Sequence, residues 1–154
     1  MFKLGMYFYN GNGVDRNFEH ALLYFKKAAD LGNSFGMFYL GKCYCRGEGV
    51  EQSFLSGANW LRLAVNLGNS GAMNTLGDCY YYGTGVSKDL NRASYWYQKS
   101  ADLGDFVGMY NIGRCYYDGE GVRKDLQVAI QWFERSAAGG CKKAEIRMSR
   151  FQGL

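Results

Sequence analysis

The sequence predicts an all-α fold, a solenoid of stacked helix pairs, and three observations carry that prediction. First, the stretch Leu76-Gly77-Asp78-Cys79-Tyr80-Tyr81-Tyr82-Gly83-Thr84-Gly85-Val86 recurs as Leu4 to Val14, Leu40 to Val50 and Ile112 to Val122. Its first glycine, at Gly5, Gly41, Gly77 and Gly113, advances by 36 residues each time. A fixed period in this range marks an array in which each unit buries its apolar face on the next. Second, residue spacing between the punctuating glycines is helical: Gly36, Leu40, Gly41 and Tyr44 lie on one face. Third, the 154 residues hold 22 glycines and no proline. Glycine at fixed offsets without proline reads as helix termination, not as a disordered linker.

The elements follow in order. Met1 is in register with Met37, Met73 and Met109, so the chain opens inside a repeat helix. The N-cap residues of the later copies, Asn33, Asn69 and Asp105, have no counterpart there. A native start with a short first helix and a piece of a longer array both fit. A complete first helix runs from Asn33 to Arg46 and ends at Gly47-Glu48-Gly49-Val50. A cap position follows, holding Asn17, Ser53, Asp89 and Asp125, all able to accept from the free N–H groups of the next helix. The second helix repeats Ala21, Tyr24 and Ala28 as Gly57, Trp60 and Ala64, as Ala93, Trp96 and Ser100, and as Ala129, Trp132 and Ser136. It closes at Gly32, Gly68, Gly104 and Gly140, and the next residue already caps the following helix. Small residues at Gly41, Ala58 and Ala93 are expected to let helices approach, with Tyr44, Tyr80 and Tyr116 filling the gap. The expected organisation is one repeat domain over 1–154: units at 1–32 with a truncated first helix, 33–68, 69–104 and 105–140, then a capping helix at 141–152. Lys142, Lys143, Arg147 and Arg150 make that last helix basic, as suits a face that meets water.

Composition narrows the function classes. A net charge of +4 is too small to indicate a nucleic-acid partner. No apolar run reaches the roughly 18 residues of a membrane span. The opening Met1-Phe2-Lys3-Leu4-Gly5 lacks the sections of a signal peptide, which points to the cytoplasm.

These residues resemble the Sel1-like repeat family. Its pattern is a small residue, Leu-Gly, a Tyr three residues on, Gly-x-Gly-Val, then Asp, Ala, an aromatic, Ala and Gly. The match covers about residues 4 to 144. The departures are Gly57 for Ala, Asn17 and Ser53 for Asp, and incomplete first and last copies. The resemblance implies antiparallel helix pairs wound into a right-handed, tetratricopeptide-like α-solenoid with the first helix of each pair on the concave side. It also implies a non-catalytic scaffold or adaptor for a protein or peptide. Other roles in the family are bacterial toxin immunity and host interaction, and hydrolase activity has been suggested for some relatives. A segment of a larger scaffold is a further reading, with self-association through the uncapped helix from Met1 to Asn10.

On a tetratricopeptide-like arrangement, the groove positions lie three before, one after, and four and five after each glycine. They are Phe38, Lys42, Cys45 and Arg46, then Asn74, Asp78, Tyr81 and Tyr82, then Tyr110, Arg114, Tyr117 and Asp118. Tyrosine with arginine and lysine is the composition of binding hot spots.

Other chemistry finds little support. The Gly-x-Gly-Val turns follow helices and lack Gly-Lys-Ser/Thr, so they are not phosphate loops. Cys43, Cys79 and Cys115 share one repeat position and should stand about 10 Å or more apart, beyond disulfide reach. Cys43 and Cys45 face different directions on one helix, which disfavours chelation. Some secreted members of the family pair a cysteine on each helix of a repeat; no regular second-helix partner exists here, and thiols in a reducing compartment are expected. His20 is the single histidine, so a metal site or a Ser-His-Asp or Cys-His centre would have to use it. No cofactor and no metal is expected.

Overall fold

The computed structural model describes residues 1–152. Its described residues form nine helices: α1 (Phe2–Asn10), α2 (Phe18–Asp30), α3 (Ser34–Arg46), α4 (Phe54–Asn66), α5 (Ser70–Tyr82), α6 (Leu90–Asp102), α7 (Phe106–Asp118), α8 (Leu126–Ala138) and α9 (Lys142–Gln152). The odd-numbered helices are the first members of the pairs read from the sequence.

Capping sets the boundaries. The Asn33 side chain accepts from Gly36 N at 2.8 Å, Asn69 from Ala72 N at 2.9 Å, and Asp105 from Gly108 N at 2.8 Å. On the second helices Asn17, Ser53, Asp89 and Asp125 accept from the N–H three residues on. Each cap satisfies a donor that the helix leaves unpaired. Met1 caps α1 without any side-chain hydrogen bond.

The chain divides into two compact units. The first comprises 1–72 with 84–86; the second comprises 73–83 and the chain from 87 onward. In the first unit, Ala21, Phe25, Ala29, Leu40 and Cys43 form a buried cluster, with Phe2, Tyr9 and Tyr39 packed on it. Phe25 and Tyr39 stand 5.1 Å apart, and Phe2 is within 5.8 Å of both. This aromatic packing holds α1 although its first turn is uncapped. In the second unit Leu76, Tyr97, Ile112, Cys115 and Phe133 are buried.

Two glycine positions show why the repeat tolerates nothing larger. A Cβ on Gly77 would come 2.6 Å from the Tyr97 ring. The equivalent Gly5, Gly41 and Gly113 are covered by Phe25, Leu61 and Phe133. The residue that meets the glycine is therefore a large side chain from the second helix, eight residues after its N-cap, rather than Tyr44, Tyr80 or Tyr116. Tyr80 is itself buried, and the other two are half-buried. The second position is the later glycine of the turn. Gly49 (φ +73°) lies against the Phe18 backbone, and a Cβ there would come 2.5 Å from its carbonyl. Gly121 (φ +71°) lies likewise on Leu90. Left-handed backbone and close approach coincide there, which only glycine combines without strain. The turn is thus more than a helix terminator: it seats one repeat on the second helix of the repeat before it.

Candidate partner-binding faces

On the first unit's face, Lys42 lies over the rings of Phe38 at 5.4 Å and Tyr39 at 4.9 Å. Burial and the Arg46 charge lower the pKa of its ammonium. Arg46 is exposed and reaches Glu48 at 3.6 Å and the Tyr9 hydroxyl at 3.3 Å. That hydroxyl donates to Glu48 Oε2 at 2.8 Å, across 39 residues of sequence. Burial, reinforced by the Glu48 carboxylate, pushes the Tyr9 hydroxyl up to about 12. Cys45 is half-buried, and its Sγ occupies the space where a Cβ on Gly57 would go. The glycine that departs from the repeat's alanine at 57 therefore accommodates the cysteine at 45.

On the second unit's face the same hydroxyl bond recurs. Tyr81 donates to Glu120 Oε2 at 2.8 Å, again across 39 residues, and Arg114 donates to the Tyr81 hydroxyl at 3.2 Å. The hydrogen bond to Glu120 and then burial raise the Tyr81 pKa. Tyr82 stands edge-on to Tyr81, 4.8 Å away, and is 64% exposed. Tyr110 and Tyr117 are half-buried, and Asp118 is exposed at the end of α7.

Two of the twelve expected positions face inward or are tied down. Asn74 is buried, its amide oxygen accepting from Asn111 Nδ2 at 2.8 Å. Asp78 is half-buried and accepts from the Tyr97 hydroxyl at 2.7 Å. Burial raises the Asp78 pKa, opposed by the Tyr97 hydrogen bond and the charges of Arg114 and Lys143. The Tyr97 hydroxyl is raised by burial and by Asp78. Glu48, Glu120, Tyr97 and Asn111 thus belong to these faces without having been picked out. A usable signal was present for the glutamates: Tyr9 with Glu48 and Tyr81 with Glu120 keep one offset, and Cys45 stands with Thr84.

Nucleophilic chemistry finds poor ground. Burial pushes the Cys43 and Cys115 thiols up to about 12, so both are protonated near neutral pH. His20 is exposed and stacks on Phe8 at 5.1 Å. Among the described residues no group of three or more His, Cys, Asp or Glu side chains is placed to hold a metal, and no helix is long and apolar enough to cross a membrane.

Helix pairs closed on a glycine, capped at fixed positions and seated by the Gly-x-Gly turn define a helical repeat protein of the solenoid class. The Sel1 repeat profile matches residues 1–33, 34–69, 70–105 and 107–141, and the chain belongs to the Sel1 repeat family. That family consists in general of protein-interaction scaffolds. A protective antigen of uropathogenic Escherichia coli strains, displaying the SLR fold, shares 31% identity over 97% of this chain and 32% of its own, at a TM-score of 0.86. A Sel1 repeat protein from Oxalobacter formigenes shares 34% identity over 92% of this chain and 58% of its own, at 0.85. The Helicobacter pylori cysteine rich protein B shares 29% identity over 87% of this chain and 96% of its own, at 0.67. The chain thus spans about a third of the first of these structures and over half of the second. None of the curated proteins gives a significant match.

Proposed function

We propose that the protein is a non-catalytic scaffold that binds a protein or peptide partner on the faces of its odd-numbered helices. Phe38, Lys42, Cys45 and Arg46 would contribute in the first unit. Tyr81, Tyr82, Tyr110, Arg114, Tyr117 and Asp118 would contribute in the second, with Asn74 and Asp78 supporting them from behind. The observation that carries the reading is the exposed Tyr82 ring beside a Tyr81 whose hydroxyl is already held by Glu120 and Arg114. A side chain fixed before binding loses little freedom on binding, so a few aromatic anchors suffice.

The test is quantitative affinity capture with mass spectrometry, comparing the parent chain with a Tyr82→Ala, Tyr117→Ala double variant. The variant should keep its helical content and lose the captured partner. Equal recovery by a folded variant would remove the assignment of these faces.

A further inference from the structure

The second unit also contains a cavity of about 450 Å³ between α7 and α9, within the roughly 300–1,000 Å³ of ligand sites. Its α7 wall is Tyr110 and Tyr117; its α9 wall carries Lys143, Arg147 and Arg150, with Ile146 and Phe151 among them. The three cations stand at i, i+4 and i+7 of one helix and so share a face. The Arg147 guanidinium lies 4.3 Å from the Tyr117 ring and 5.0 Å from the Phe133 ring. Contact with the two rings positions the guanidinium, a group whose N–H fork binds anions bidentately. Among the described residues the ion pairs are Arg46–Glu48 and Arg92–Asp89, and no carboxylate pairs with these three cations. Asp78 accepts from the Tyr97 hydroxyl and feels the Lys143 charge without forming an ion pair with it.

A basic helix face meeting water accounts for the charges alone. It does not account for a cavity that sets them beside two tyrosines, an isoleucine and a phenylalanine. We infer that this cavity binds an acidic segment of a partner protein, a carboxylate lying on Lys143, Arg147 and Arg150 and an adjoining bulky apolar side chain lying against Tyr110, Ile146 and Phe151. The inference rests in part on the proposed role of the α7 face, since Tyr110 and Tyr117 belong to both.

Fluorescence polarisation on the full chain, with a fluorescein-labelled peptide of alternating glutamate and phenylalanine, tests it. A Lys143→Gln, Arg150→Gln double variant should weaken binding about tenfold, and replacing phenylalanine by alanine in the probe should weaken it about fivefold. Tyr95→Ala, an exposed aromatic on α6 outside the cavity and outside the proposed faces, should leave it unchanged. Partner capture that depends on Tyr82 while this peptide fails to bind would overturn the cavity and leave the proposed function standing. Equal affinity for the glutamate–alanine peptide would reduce the cavity to an unspecific anion patch and overturn the inference, as would unchanged binding by the double variant. Should that variant lose helical content, the parent chain decides: a lysine–phenylalanine peptide must bind markedly more weakly, and equal binding would overturn the proposal.

Discussion

Tyr9 and Tyr81 hold the same place in their repeats and form the same bond, yet their surroundings differ. Both donate to a glutamate 39 residues on. In the first unit the arginine at that hydroxyl is Arg46, five residues after the repeat glycine; in the second it is Arg114, one residue after. Lys42 holds the position equivalent to Arg114 and instead lies over Phe38 and Tyr39. Burial is the leading cause of the Tyr9 shift, whereas the hydrogen bond leads for Tyr81. In both units a link thus runs from this tyrosine to the next turn, while the charged neighbours vary. Variation of that kind, on a frame that does not change, is how a repeat protein acquires specificity.

The largest expected effect comes from unseating the turns that carry the two glutamates. Gly49→Ala and Gly121→Ala combine left-handed backbone with overlap on Phe18 or Leu90, and each should cost about 3 kcal/mol or more. Gly13→Ala has the same sign of φ, at +76°, with nothing within 4 Å, and should cost only about 1–2 kcal/mol. Denaturant midpoints of the three variants check the contrast; equal losses would mean that backbone strain alone sets the glycine requirement.

Removing the hydroxyls comes next. Tyr9→Phe should cost about 1.5 kcal/mol and Tyr81→Phe about 1 kcal/mol, because burial weighs more heavily on the Tyr9 hydroxyl. A reversed order would sink the comparison. The Tyr9 link also has a pH signature. A hydroxyl whose folded pKa lies above its unfolded value stabilises fully below the unfolded one and loses that contribution as pH rises. Stability should therefore fall between pH 10 and about 12 in the parent chain, and Tyr9→Phe should flatten that fall in a pH series of thermal melts.

The smallest effect concerns the repeat between them. Gly57→Ala should cost about 0.5 kcal/mol, because the gain in helix propensity offsets much of the crowding of the Cys45 sulfur, and most of that loss should disappear on a Cys45→Ala background. An additive double-mutant cycle would show that the two positions are not coupled.

Much of this frame was legible in the residues. The cap positions at Asn33, Ser53, Asp89, Asp105 and Asp125 formed the hydrogen bonds expected of them, because a cap is a local interaction. Spacing along a single helix carries no information about which side chain crosses to meet it. That is why Phe25, Leu61, Tyr97 and Phe133 over the repeat glycines were not foreseen. The burial of Asn74 escaped notice for a related reason. Its partner Asn111 lies 37 residues away, out of register with the 36-residue period, so comparing equivalent positions could not pair them. The cavity under α9 needed the fold itself, since α7 and α9 lie in different repeats and the basic run reads alone as a solvated cap.

Two tyrosines adjacent in sequence differ in role: the Tyr81 hydroxyl ties its repeat to the next turn, and the exposed Tyr82 ring is the proposed partner anchor. Measuring stability and partner capture on Tyr81→Phe and Tyr82→Ala in parallel tests that division most directly. Tyr81→Phe keeps the ring and should lower the unfolding midpoint while weakening capture only slightly, and Tyr82→Ala should keep the midpoint and lose capture. Full capture by Tyr82→Ala, with capture lost in Tyr81→Phe, would contradict it.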